Sequence, residues 1–145
     1  MTWRARDRLG LAYQSSNSPE RAVRLYERCS AQLESALGHD HVQSIVGRSR
    51  LGRALLASCD LDRGLIICRQ AVEDTETRFG RAHVATVENR ALLAAVHLKR
   101  GETLVAINLL EQARADSRIA AVQSDRQTEE ILRELKKARA SVAQD

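Results

Sequence analysis

Three groups of side chains in this 145-residue chain have the types and spacing to do chemistry. They are the run His39-Asp40-His41, the cysteines Cys29, Cys59 and Cys68, and the arginines Arg6, Arg48 and Arg90. Two imidazoles around a carboxylate are metal-ligand types. His41 returns 42 residues later as His83, again ahead of a helical run, while His39 has no counterpart. A residue repeated at a helix start is a junction residue, so no metal is expected there. The cysteines are odd in number and form no Cys-x-x-Cys pair, which makes a poor disulfide framework and a poor zinc site. Cys29 and Cys68 fall at apolar helical positions, where cysteine acts as a small hydrophobe. Cys59 falls at a predicted turn and is the thiol expected to react. His97 takes a large-residue position and is read as a packing histidine. No glycine-rich phosphate loop, GxSxG or HExxH pattern occurs. The expectation is a protein without catalysis and without a cofactor.

The arginines form a column with a spacing of 42 residues. Glu34 and Glu76 stand 14 residues before Arg48 and Arg90. A partly buried guanidinium needs such a carboxylate, so the preferred reading is an ion pair between consecutive hairpins. The alternative is a ligand-facing basic ladder.

The elements that position these residues repeat too. Leu9-Gly10 recurs as Leu51-Gly52 and Leu93-Ala94, and Leu37-Gly38 as Phe79-Gly80. A fixed period of this size means stacked supersecondary units, none of which buries its apolar face alone. Apolar residues recur at helical spacing, and no strand-like alternation stands out. Helices are expected over 2–16, 19–36, 41–58, 61–78, 83–99, 103–119 and 124–143. Ser18 is read as an N-cap ahead of Pro19, and Asp40/Gln43 and Ser124/Gln127 as capping pairs. Gly38, Gly80 and Gly101 mark helix ends.

Within each unit small and large residues hold fixed places. The sets are Leu9, Gly10, Tyr13, Ala22, Tyr26, Cys29; then Leu51, Gly52, Leu55, Gly64, Cys68, Ala71; then Leu93, Ala94, His97, Ala106, Leu110, Ala113. This pattern resembles the tetratricopeptide repeat (TPR). The junctions LGHDHVQSIVGRSRLG and FGRAHVATVENRALLA look like those of kinesin-light-chain-type repeats. An arginine three residues before the Leu-Gly/Ala step is similar to the long-period repeats of bacterial NB-ARC-type signalling ATPases. Val42 and Val84 depart from both, which favour proline there. The resemblance implies an all-α, right-handed superhelix (α-solenoid): one domain over 1–145, with repeats at about 1–36, 37–78 and 79–120 and a capping helix at 124–143. In that last helix Ile131, Leu132, Leu135, Ala138 and Val142 share one face, while Lys136 and Arg139 replace core residues. Dimerisation is the alternative role for it.

In such a stack the first helix of each hairpin faces a common groove. Inward positions are Arg4, Asp7, Arg8, Leu11 and Ser15; then Val46, Ser49, Arg50, Arg53 and Ala57; then Glu88, Ala91, Leu92, Ala95, Leu98 and Lys99. This groove is basic at one end and apolar at the other, and suits a protein or peptide with acidic residues beside apolar ones. The asparagines that kinesin-light-chain-type grooves use are lacking, so that family's peptide preference is not carried over.

Three further readings stand beside this one. The chain starts inside a repeat, as a truncated array or a piece of a longer protein, so it is alternatively the sensor or regulatory segment of a larger signalling ATPase or transcriptional regulator. Trp3 and Leu11 have no preceding repeat over them, which allows homo-oligomerisation. Nucleic-acid binding is disfavoured by a net charge of only +4 and 3 % aromatics. No apolar run reaches membrane-spanning length and no secretory leader opens the chain, so a cytoplasmic protein without membrane contact is expected.

Overall fold

Among the described residues, seven helices form where the apolar periodicity demands them. The computed structural model describes residues 2–119 and 125–144, the side chains of 118–119 and 125–129 excepted. The helices are α1 (Trp3–Ser15), α2 (Pro19–Leu37), α3 (Val42–Ala57), α4 (Leu61–Phe79), α5 (Val84–Lys99), α6 (Thr103–Ile119) and α7 (Asp125–Ala143). Among the described residues there is no strand, and no helix is long and apolar enough to cross a membrane. Two compact units result, Met1–Ala71 and Val72–Asp145, and their boundary falls inside α4.

The first unit packs α2 against α1 and α3. Ala22, Val23, Tyr26, Leu51, Ala54 and Leu55 form its core, with Trp3, Tyr13 and Ile67 against it. In the second, α6 packs against α5 and α7 around Val87, Ala94, Ala106, Leu110, Ala113, Ile131 and Leu135. Tyr26, Cys68 and Leu110, one repeat column, are each 0 % exposed. Of the five apolar residues placed on one face of α7, Ile131, Leu135 and Ala138 are buried, but Leu132 and Val142 are each 39 % exposed. The buried stripe is narrower than expected because the three buried residues follow i, i+4, i+7. The exposed Lys136 occupies the column that holds Gly10, Gly52 and Ala94 in the other helices.

The junctions are built alike. Gly38 and Gly80 end α2 and α4 with φ of 92° and 90°, a region that favours glycine. Ser44 and Thr86 each donate a hydroxyl proton at 2.7 Å to the carbonyl of that glycine. The helix starts correct two capping expectations. Asp40 is exposed and one residue too early; His41 is the N-cap of α3, and its Nδ1 accepts the Gln43 N–H at 3.2 Å. His83 does the same for α5, accepting the Ala85 N–H at 3.1 Å. Ser18 makes no side-chain cap bond; its carbonyl receives Arg21 and Ala22, and Pro19 starts the helix. Ser124 and its pairing with Gln127 lie outside the described residues.

Close approach of α1 and α2 rests on Gly10. A Cβ built there would lie 2.3 Å from Tyr26 Cζ, whereas one on Gly64 meets nothing nearer than 3.6 Å. Gly10→Ala is therefore expected to destabilise the chain by about 1–3 kcal/mol through overpacking. Gly64→Ala should stabilise it by about 0.5–1 kcal/mol through helix propensity. Urea unfolding of both variants checks the pair, and equal effects would contradict the packing.

Candidate functional site

The arginine column is structural at its two buried members. Arg48 and Arg90 are 3 % and 4 % exposed, and a guanidinium that deep must be paired. Arg48 on α3 donates from Nη1 to Glu34 Oε1 at the end of α2, and from Nη2 to the His39 carbonyl at 2.7 Å. Arg90 on α5 reaches Glu76 at 3.2 Å and donates to Asp116 of α6. Arg81 adds a contact of 3.6 Å to the same Asp116 oxygen. Arg6 donates to Gln32 instead. The one mark of Asp116 in the sequence is that it follows Arg90 by 26 residues, as Gln32 follows Arg6. The histidine run is absorbed by the same junction, with His41 on the helix start and the His39 ring 3.2 Å from Arg48. Among the described residues no group of three or more His, Cys, Asp or Glu is arranged to hold a metal ion.

The buried reactive groups are held quiet. Burial pushes the Cys68 thiol up to about 12, well away from a nucleophilic thiolate. Tyr26 is likewise raised to about 12, by burial first and by the neighbouring Asp7 second. Its hydroxyl donates to the Asp7 carbonyl at 3.2 Å and to Asp7 Oδ1 at 3.3 Å. His97 is 3 % exposed, and its Nδ1 is hydrogen-bonded to Glu102. The Arg100 guanidinium, and then His97, hold the Glu102 carboxyl below its ordinary value. Cys59 is exposed, at a turn with φ of 60°.

The inward positions divide by unit. On α1, Arg4 and Arg8 are exposed and Leu11 is 40 % exposed. On α3, Arg53 and Ala57 are exposed and Val46 is 37 % exposed. Ser15 and Ser49 spend their hydroxyl protons on the carbonyls of Leu11 and Ile45. Arg50 does not stand free: its Nε lies 3.1 Å from Asp7 Oδ1, so α3 is tied to α1. Among the described residues Arg4, Arg8 and Arg53 make no ion pair. Trp3 is half-buried against the Tyr26 cluster and is not a bare outward surface. In the second unit Glu88 and Lys99 are exposed, while Ala91, Ala95 and Leu98 are half-buried. Leu92 is only 9 % exposed and turns into the core, because an apolar residue in the column of Arg8 and Arg50 gains by burial.

No protein-family model and no curated protein matches the sequence. Solved structures do. The crystal structure of the kinesin-light-chain-like protein of Podosopora anserina, with nearly identical TPR-like repeats, is similar at 22 % identity and a TM-score of 0.87. It covers 97 % of this chain and 67 % of that one. A single-substitution variant of the same protein gives 22 % identity, a TM-score of 0.86, and coverage of 97 % and 66 %. The chain thus spans about two thirds of the similar chains. The likeness shows the fold: an all-α, TPR-like array of helical hairpins.

Two expectations follow. Arg90→Ala leaves Asp116, 8 % exposed, with the exposed Arg81 as its one remaining ion-pair partner among the described residues. It should cost about 3 kcal/mol in urea unfolding, with part recovered in Arg90→Ala/Asp116→Ala. Glu102 is depressed in the folded chain, so its contribution is present at neutral pH and is lost as pH falls through and below the ordinary carboxylate value of 4.5. Melting curves of wild type and Glu102→Gln should differ at about pH 7 and draw together as pH falls below the ordinary carboxylate range. A gap that stays constant with pH would contradict the pairing.

Proposed function

We propose that this chain is a non-catalytic protein-interaction module, and that the α1–α3 face of its first unit takes an extended acidic segment with apolar neighbours. The observation that carries the reading is the state of the arginines there. Arg4, Arg8 and Arg53 are exposed without an ion pair among the described residues, while Arg50 is already neutralised by Asp7. A guanidinium fork matches a carboxylate in bidentate fashion. Leu11 and Val46 supply apolar contact on the same two helices. Stacked helical hairpins are surface builders by construction, each contacting only its neighbours. In the second unit the half-buried Ala91, Ala95 and Leu98, with Lys99, offer smaller contacts of the same kind, and Leu92 contributes packing alone. A cytoplasmic setting suits three cysteines that form no disulfide among the described residues.

The test is fluorescence anisotropy with a labelled extended peptide of alternating Glu and Val. Wild type should bind it. Arg4→Glu/Arg53→Glu should weaken binding at least tenfold, about 1.4 kcal/mol, with helicity unchanged. Equal binding by wild type and variant would move the site off this face.

A further inference from the structure

We propose a second interaction surface, on the outer face of α2, that takes a helical acidic segment of a partner protein. Arg21, Arg24 and Arg28 stand at i, i+3 and i+7, which places them on one helical face. All three are exposed. At a rise of about 1.5 Å per residue the stripe is about 10 Å long. Among the described residues none of the three has a carboxylate within ion-pair distance. Glu20, four residues before Arg24, is exposed and makes no pair with it. Glu27, next to Arg28, is taken by Arg63 of α4. Arg21 lies over the Tyr13 ring, 6.0 Å from its centroid.

Nothing in the fold asks for this stripe. The repeat-equivalent positions are Arg63, Ile66 and Gln70 on α4, and Val105, Asn108 and Gln112 on α6. Of those, the lone arginine is satisfied by Glu27 and by Asp60. Like charges four residues apart, as at Arg24 and Arg28, oppose the helix that carries them. The chain pairs the arginines that tie its helices together: Arg48, Arg50 and Arg63 in this unit and Arg90 in the other. On α2, Arg24 and Arg28 are left over and Arg21 is held only by the Tyr13 ring, and their charge is complementary to carboxylates presented at helical spacing.

The composition narrows the partner. The first unit holds eleven arginines, no lysine and seven carboxylates, so the chain's net charge of +4 resides there. Arginine, unlike lysine, grips carboxylates through two parallel hydrogen bonds. Ile66, 67 % exposed, stands one turn beyond Arg63, which ties α4 to α2 through Glu27. It offers an aliphatic contact beside the charged stripe. The geometry favours protein over nucleic acid, because the three aromatic rings of this unit are Tyr26 in the core cluster and Trp3 and Tyr13 packed half-buried against it, a poor platform for base stacking.

The probe is a labelled Ala-rich helical peptide with Glu at i, i+3 and i+7 and one Leu, with its Gln counterpart and a 20-base-pair DNA duplex alongside. The wild-type chain should bind the Glu peptide and not the Gln peptide. Arg24→Glu/Arg28→Glu should lose at least tenfold, and Arg4→Glu/Arg53→Glu less than twofold, which separates this surface from the α1–α3 face. The melting midpoint of Arg24→Gln/Arg28→Gln, which removes the like-charge pair without making another, should not fall. Absence of Glu-peptide binding, equal losses in both double variants, or a lowered midpoint would each overturn the proposal. Tighter binding of the duplex, lost in Arg24→Glu/Arg28→Glu, would overturn it in favour of nucleic acid.

Discussion

Burying a guanidinium is the constraint on which the two junctions depend. A charge at the depth of Arg48 or Arg90 costs several kcal/mol unless a carboxylate and further acceptors meet it. Glu34 and Glu76 meet it from the ends of the preceding helices. The path from each glutamate to its arginine is 14 residues in both repeats. It is filled the same way both times. A glycine turns the chain, a Ser or Thr hydroxyl holds that glycine's carbonyl, and a histidine ring closes the next helix start. An insertion anywhere along this path would pull a carboxylate away from a buried charge. A repeat of constant length is what such a pair selects.

The same constraint sorts the arginines by job. Those that tie helices together are bound to carboxylates: Arg48 to Glu34, Arg50 to Asp7, Arg63 to Glu27, and Arg90 to Glu76 and Asp116. Arg4, Arg8 and Arg53, and the stripe on α2, are exposed and make no ion pair among the described residues. Exposed ion pairs are worth little, so leaving these side chains unpaired costs the fold almost nothing. Their charge is what a partner's carboxylates would use. Function, on this account, lies in what the packing leaves over.

The repeat was the most legible part. Leu9, Leu51 and Leu93, the glycines after α2 and α4, and the Glu–Arg spacing were visible because a period multiplies each signal. Helix boundaries matched within one or two residues for the same reason. Single-residue chemistry was less legible. Asp40 is the better N-cap by residue type, yet His41 takes the role because its ring nitrogen reaches the backbone two residues on. The tie between Arg50 and Asp7 joins positions 43 residues apart on two helices, and the spacing within either helix does not announce it. Leu92 and Leu132 show the limit of column logic. Each replaces an arginine of its column, and each follows the local balance of burial rather than the column's role: Leu92 turns inward while Leu132 stays partly exposed.

Arginine-selective modification with phenylglyoxal, followed residue by residue by mass spectrometry, tests this division most directly. Arg4, Arg8, Arg24, Arg28 and Arg53 should be modified rapidly, with Arg48 and Arg90 protected until the chain is unfolded. Modification of Arg48 and Arg90 in the native protein as fast as that of the α2 arginines would contradict it.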